Sequence, residues 1–159
     1  MAVLDNGLNT EAFRVYKAAE RTPQLLQKIV ALWEESVRAT HAFLSEKEIA
    51  EIKEYVPSAV CAVEHLAAAE DAFGNLLGFL GTEDGRLEML FLLPKARGRG
   101  LGKRLLLFGI SEFEITELTV NEQNPQAAGF YEHMGFKVYK RAALDEQGNP
   151  YPLLYMRRS

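Results

Sequence analysis

The chain is 159 residues long, with 48% hydrophobic and 25% charged residues, which fits one globular domain over residues 1–159 and excludes intrinsic disorder. Eighteen Lys and Arg stand against 22 Asp and Glu, a net −4, so a nucleic acid is not an expected partner, and no apolar run reaches the ~18 residues of a membrane helix, so neither is a membrane. A single cysteine, Cys61, excludes an intrachain disulfide and suits a reducing compartment; Met1 to Thr10 lacks a basic stretch followed by an apolar one, so no signal peptide is expected and the localisation is cytoplasmic.

The first ten residues read as frayed, and residues 13–18 as a short strand. Pro23 starts a helix whose apolar stripe runs from Leu25 to Val37 and which ends near Thr40. A loop over residues 40–44 follows. Ser45, with Glu48 three residues on, predicts a capping box and a second helix. That helix reaches about Tyr55, where Pro57 interrupts it; residues 58–63 read as further helix, with a strand as the alternative. Strands are predicted at residues 65–70 and 76–81. Asp84-Gly85 predicts a hairpin into residues 86–93, an apolar and hence central strand. A helix over residues 101–113 and a strand over 116–120 come next. Asn124-Pro125 opens another helix that Gly135 closes, and strands follow at residues 136–142 and 152–156. The alternation implies a mixed α/β (α+β) fold. Cys61 has no neighbouring motif and reads as a buried structural thiol.

Charge concentrates at one place. Residues 89–111 hold no acidic residue but carry Lys95, Arg97, Arg99, Lys103 and Arg104, so a local +5 sits on a remainder of −9. An island of this kind points to one anionic ligand. Within it, Arg97-Gly98-Arg99-Gly100-Leu101-Gly102 lies between a predicted strand and a predicted helix. Glycines let the backbone approach a ligand, and the helix start adds unpaired amides, which together suit a diphosphate. A P-loop is excluded because Gly102-Lys103 is followed by Arg104. A dinucleotide fingerprint is excluded because its third glycine position is Lys103.

Arg97, Gly100 and Gly102 fit R/Q-x-x-G-x-G/A, which resembles the acyl-CoA loop of the GNAT N-acetyltransferases. Residues 121–136 (NEQNPQAAGFYEHMGF) resemble the following segment of that superfamily at Asn124, Tyr131, Gly135 and Phe136. Residues 33–44 and the QGNPYPLL stretch resemble bacterial stand-alone members of the YjaB type. The resemblance implies a mostly antiparallel central sheet of about seven strands, splayed in the middle and flanked by about four helices. It implies acetyl-CoA as the acyl donor. Its pantetheine arm would lie in the splay beside Leu90, Phe91 and Leu92. Its diphosphate would sit on the amides of Gly98, Arg99, Gly100, Leu101, Gly102 and Lys103, next to Arg97. Asn124 would contact the arm, and Tyr131 would protonate the leaving thiolate.

Bottom-up, the chemistry needs a proton acceptor, because an alkylamine with a pKa of ~10.4 is protonated at neutral pH. Some family members carry a glutamate five residues before the asparagine, where this chain has Thr119. Glu88 is the candidate base, because it shares strand parity with Leu90 and Leu92 inside an apolar strand. Glu122 and His41 are the reserves. The oxyanion donor is expected among the amides of residues 90–92. His41 and Phe43 are expected to bind the acceptor, in a pocket between residues 40–44 and 145–151. His65 and His133 lack ligand spacing with Cys61, so no metal is proposed. The expected activity is direct acetyl transfer from acetyl-CoA to a primary amine, on a small molecule or a peptide. A non-catalytic acyl-CoA-binding sensor and a nucleotide-binding protein compete with it. The oligomeric state stays open, a homodimer among the options.

Overall fold

The computed structural model describes residues 11–159, so the reading of Met1 to Thr10 lies outside the described residues. Seven strands form one sheet: β1 (Ala12–Val15), β2 (His65–Glu70), β3 (Leu76–Glu83), β4 (Arg86–Leu92), β5 (Glu117–Asn121), β6 (Phe136–Ala142) and β7 (Leu153–Arg158). Their order is β1-β2-β3-β4-β5-β7-β6, and every pairing is antiparallel except β4 with β5. Helices α1 (Pro23–Thr40) and α2 (Glu46–Ala62) cover one face; α3 (Leu101–Phe113) and α4 (Pro125–His133) cover the other. Alternation in β3 splits its side chains between two cores: Leu80 packs with Leu101 and Leu105, while its neighbour Phe79 packs with Ile29 and Trp33.

Local chemistry sets the boundaries. Thr22 caps α1 by accepting from the Leu25 amide, and Pro23 occupies the first helical position. Ser45 and Glu48 form the expected capping box on α2. The β3–β4 turn places Asp84 and Gly85 at φ 50° and 76°, as a two-residue hairpin loop requires.

Three readings change. Strand β1 stops at Val15; Ala18–Glu20 is a 3-10 turn, held where the Glu20 carboxylate accepts from the Lys17 amide. Pro57 does not end α2. A proline removes one amide donor and its bond, but Ile49, Val56 and Val60 keep the helix pinned to the core on both sides of it. Cys61 is exposed, because it lies on the solvent side of the last turn of α2.

Candidate active site

The parallel pairing of β4 and β5 covers only Arg86 with Glu117 and Leu87 with Leu118; beyond these residues the strands part. A β-bulge initiates the parting. Leu87 pairs with Thr82 and Met89 with Gly81, so Glu88 is the extra residue in β4. The bulge corrects the parity expectation: Leu87, Leu90 and Leu92 share one face, and Glu88 is displaced from their alternation. The Leu93 amide donates to the Leu77 carbonyl at 2.9 Å. Ladder alternation then turns the backbone groups of Phe91 toward β3, and those of Leu90 and Leu92 toward the gap. Phe91 therefore offers its ring, not its backbone, to the site.

The loop after β4 runs from a 3-10 turn (Pro94–Ala96) to α3, with Gly98 and Gly100 at φ 77° and 76°. A Cβ at either glycine would meet only open space, but the left-handed backbone excludes most side chains. Among the described residues, the backbone N–H groups of residues 98–103 donate to no protein acceptor; the first turn of α3 begins with the Arg104 amide on Gly100 O at 3.1 Å. Of the five cations, Arg97 and Lys103 line the cavity below this loop, Lys95 and Arg99 are exposed and line none of it, and Arg104 instead pairs with buried Glu11 at 3.3 Å.

Three contiguous cavities meet here. The first, about 340 Å³, runs from the glycine loop along Leu90 and Leu92 to Asn124 and Tyr131. The second, about 280 Å³, lies between the α1–α2 loop and residues 145–151, lined by Phe43, Glu48, Glu51 and Tyr151 among others. The third, about 200 Å³, holds Glu88, Thr119, Asn121 and Tyr131. His41 and Phe91 line all three.

The side chains carry distinct electrostatics. Asn124 caps α4, its Oδ1 accepting from the Ala127 amide at 3.3 Å, which leaves Nδ2 for a ligand. Tyr131 packs against Phe130 and Phe136, and burial pushes its phenol well above the ordinary range. Burial also raises Glu88, against the pull of Arg86, whose Nε lies 3.7 Å away. Arg86 in turn donates to Thr119 Oγ1. His41 is held below the ordinary imidazole range, first by burial and then by the charge of Arg97. Glu122 lines none of these cavities. It forms a two-point pair with Arg141 at 2.5 and 2.9 Å that lowers its pKa, so it leaves the list of reserve bases.

The sequence pattern did not mark Ser36 or Asn121, and it set Thr40 at the acceptor pocket, not in the first cavity. Ser36 is 1% exposed and, with Thr40, lines the first cavity; Asn121 lines the second and third. A serine inside the apolar stripe of α1, beside Trp33 and Val37, was the available signal. Among the described residues no cluster of three or more His, Cys, Asp or Glu could hold a metal.

The acetyltransferase (GNAT) domain family matches residues 32–150. Peptidyl-lysine N-acetyltransferase YjaB of Salmonella typhimurium is 40% identical over 128 residues, covering 80% of this chain and 88% of that protein. Peptidyl-lysine N-acetyltransferase YiaC of Escherichia coli is 33% identical over 127 residues, covering 79% and 86%. The solution structure of apo YjaB from Escherichia coli superposes with a TM-score of 0.80 at 34% identity, covering 94% of this chain and 97% of the other. At the level of fold alone, the PaiA N-acetyltransferase of Thermoplasma acidophilum, solved with coenzyme A, matches with a TM-score of 0.70 at 22% identity, covering 95% and 100%. This chain belongs to the GNAT family and is an acetyl-CoA-dependent N-acetyltransferase.

Proposed function

We propose that the chain transfers acetyl directly from acetyl-CoA to a primary amine of the lysine side-chain class, with both substrates bound together. One observation carries this reading: a row of amides at residues 98–103, without acceptors among the described residues, borders a gap in the sheet that also holds Tyr131. The diphosphate takes those amides, and Arg97, Arg99 and Lys103 add attraction. The pantetheine arm runs along β4, exchanging hydrogen bonds with Leu90 and Leu92 and passing the ring of Phe91 and the Asn124 carboxamide. The acceptor enters by the second cavity, past Phe43 and His41. The naming of the relatives as peptidyl-lysine enzymes and the carboxylates of Glu48, Glu51 and Asp145 in that cavity support a cationic acceptor.

The amine nitrogen attacks the thioester carbonyl, and an amide of Leu90 or Leu92 donates to the oxyanion. Glu88 draws a proton from the nitrogen through water as the C–N bond forms. The C–S bond breaks, and Tyr131 gives its proton to the thiolate. A neutral phenol is the form this step needs, and burial supplies it.

Calorimetry with CoA, combined with thiol release from acetyl-CoA over a panel of lysine peptides and small amines, tests the assignment. Saturable CoA binding with turnover on the lysine peptides is the expected result. Binding with no thiol release on any amine assigns the chain instead as an acyl-CoA sensor. ATP or NAD binding tighter than CoA assigns a nucleotide protein.

A further inference from the structure

A lysine-type acceptor arrives as an ammonium and sheds two protons on its way to an amide. One leaves before the nitrogen can attack, the other as the tetrahedral intermediate forms and collapses. Glu88 lines only the third cavity, whereas His41 stands where the acceptor cleft meets the donor gap.

The end of α1 fixes the His41 tautomer. Thr40 Oγ1 donates its one hydrogen to Ser36 O at 2.9 Å, so toward His41 Nδ1, 2.8 Å away, it can only accept. Nδ1 therefore bears the hydrogen of the neutral ring. Nε2 keeps a lone pair and has no hydrogen-bond partner among the described residues. The donor loop reaches the same turn of helix: Arg97 Nη2 donates to Ser36 Oγ at 3.2 Å, and Arg97 Nε is buried with no hydrogen-bond partner among the described residues.

We propose that His41 Nε2 takes the first proton from the acceptor ammonium, and that Arg97, joined to the same helical turn through Ser36, couples this step to occupancy of the donor site. This rests on the acetyl-transfer reading above. One N–H bond of the ammonium breaks and an imidazolium forms. The freed electron pair makes the C–N bond. The second nitrogen proton passes through water to Glu88, and from Glu88 it restores the Tyr131 hydroxyl after that group has protonated the thiolate. His41 returns its proton to solvent, so one proton is released per amide formed.

Charges around the ring support the coupling. Arg97 and Lys103 face it across the first cavity, and both oppose an imidazolium. Glu48, Glu51 and Asp145 face it across the acceptor cleft, and Glu88 across the third cavity; these favour an imidazolium. Tyr131 and Tyr151, the remaining titratable groups lining these cavities, stay neutral, the first held up by burial and the second by its hydrogen bond to Glu48. A bound diphosphate offsets Arg97 and Lys103, so the ring becomes a better proton acceptor once the donor is seated.

The test combines histidine NMR of the wild-type chain, with and without CoA, and pH profiles of kcat/KM for wild type, His41→Gln and Glu88→Gln. The His41 signal is expected to show the Nδ1–H tautomer and a titration that moves to higher pH when CoA binds. His41→Gln is expected to bind CoA within twofold of wild type, to lose about a hundredfold in kcat/KM near pH 7, and to lose the acidic limb that His41 protonation imposes. An Nε2–H tautomer, a titration unmoved by CoA, or a His41→Gln profile with its acidic limb unmoved from that of wild type and less than a threefold loss would each overturn the proposal while leaving acetyl transfer intact. If His41→Gln does not fold, the wild-type NMR decides alone. No CoA binding by wild type overturns the acetyl-transfer reading and this inference with it.

Discussion

Ser36 Oγ accepts a hydrogen bond from Arg97 Nη2 at 3.2 Å, across 61 positions of chain. The contact fastens the glycine loop to α1, one turn before the helix delivers Thr40 and His41 into the cavities. Ser36→Ala leaves a half-buried guanidinium short of one partner. It should cost about 1 kcal/mol of stability and weaken CoA binding several-fold, as read by urea unfolding and calorimetry. Unchanged CoA affinity would mean that the loop holds its shape without α1.

Gly100→Asp should weaken CoA binding tenfold or more. The position needs φ 76°, and the new carboxylate would stand among the amides proposed to receive the diphosphate. Equal affinity for CoA in a binding titration would remove the loop from the donor site.

Tyr131→Phe keeps the ring packing against Phe130 and Phe136 but removes the proposed acid. A fall in kcat of about a hundredfold is expected, with CoA affinity within threefold of wild type. Because burial raises the phenol pKa, the wild-type group stays protonated well into the alkaline range. Wild-type kcat should therefore show no loss attributable to this tyrosine up to about pH 10. An alkaline limb near neutrality that disappears in Tyr131→Phe would contradict the assignment.

Glu88→Gln separates activity from stability. A carboxyl whose folded pKa is raised favours its neutral form in the native state, so the substitution should leave Tm unchanged or higher. Activity should fall at least tenfold, because the amide cannot accept the proton. In wild type the same group should protonate above the ordinary glutamate range, so its share of activity disappears as the pH drops through that raised value. A drop in Tm with activity intact would make Glu88 a structural ion-pair partner of Arg86.

Arg21→Met tests the other end of the fold. Arg21 is buried, and its guanidinium donates to the carbonyls of Tyr16, Val60, Cys61, Val63 and Glu64 at 2.5 to 3.3 Å. It closes the C-terminus of α2 onto β1, serving carbonyls that have no partner within the helix. Its loss should destabilise the chain by about 3 kcal/mol in urea unfolding, without changing KM for acetyl-CoA.

The elements, the capping box, the hairpin turn and the glycine loop were legible because each is a local matter: a period of apolar residues, a hydroxyl three positions before a carboxylate, a left-handed backbone that glycine accepts. Asn124 and Tyr131 were legible as a spaced pair on one short helix. Pro57 misled because its cost is local, while the packing of Ile49, Val56 and Val60 that outweighs it is not. Cys61 misled because a lone thiol carries no periodic signal of its own.

The sequence by itself determined the kind of fold, the glycine loop between β4 and α3 and, through the resemblance of its two motifs, the family, since each is carried by patterns local along the chain. Only the tertiary structure decided that the extra residue at Glu88 opens β4 from β5, that Arg104 turns away to Glu11, and that Glu122 is taken by Arg141. It alone brought Ser36 and Arg97 together and set His41 where three cavities meet. The physical reason is one of range: charge pairing, desolvation and strand register depend on neighbours in space, and those neighbours lie scores of residues apart along the chain.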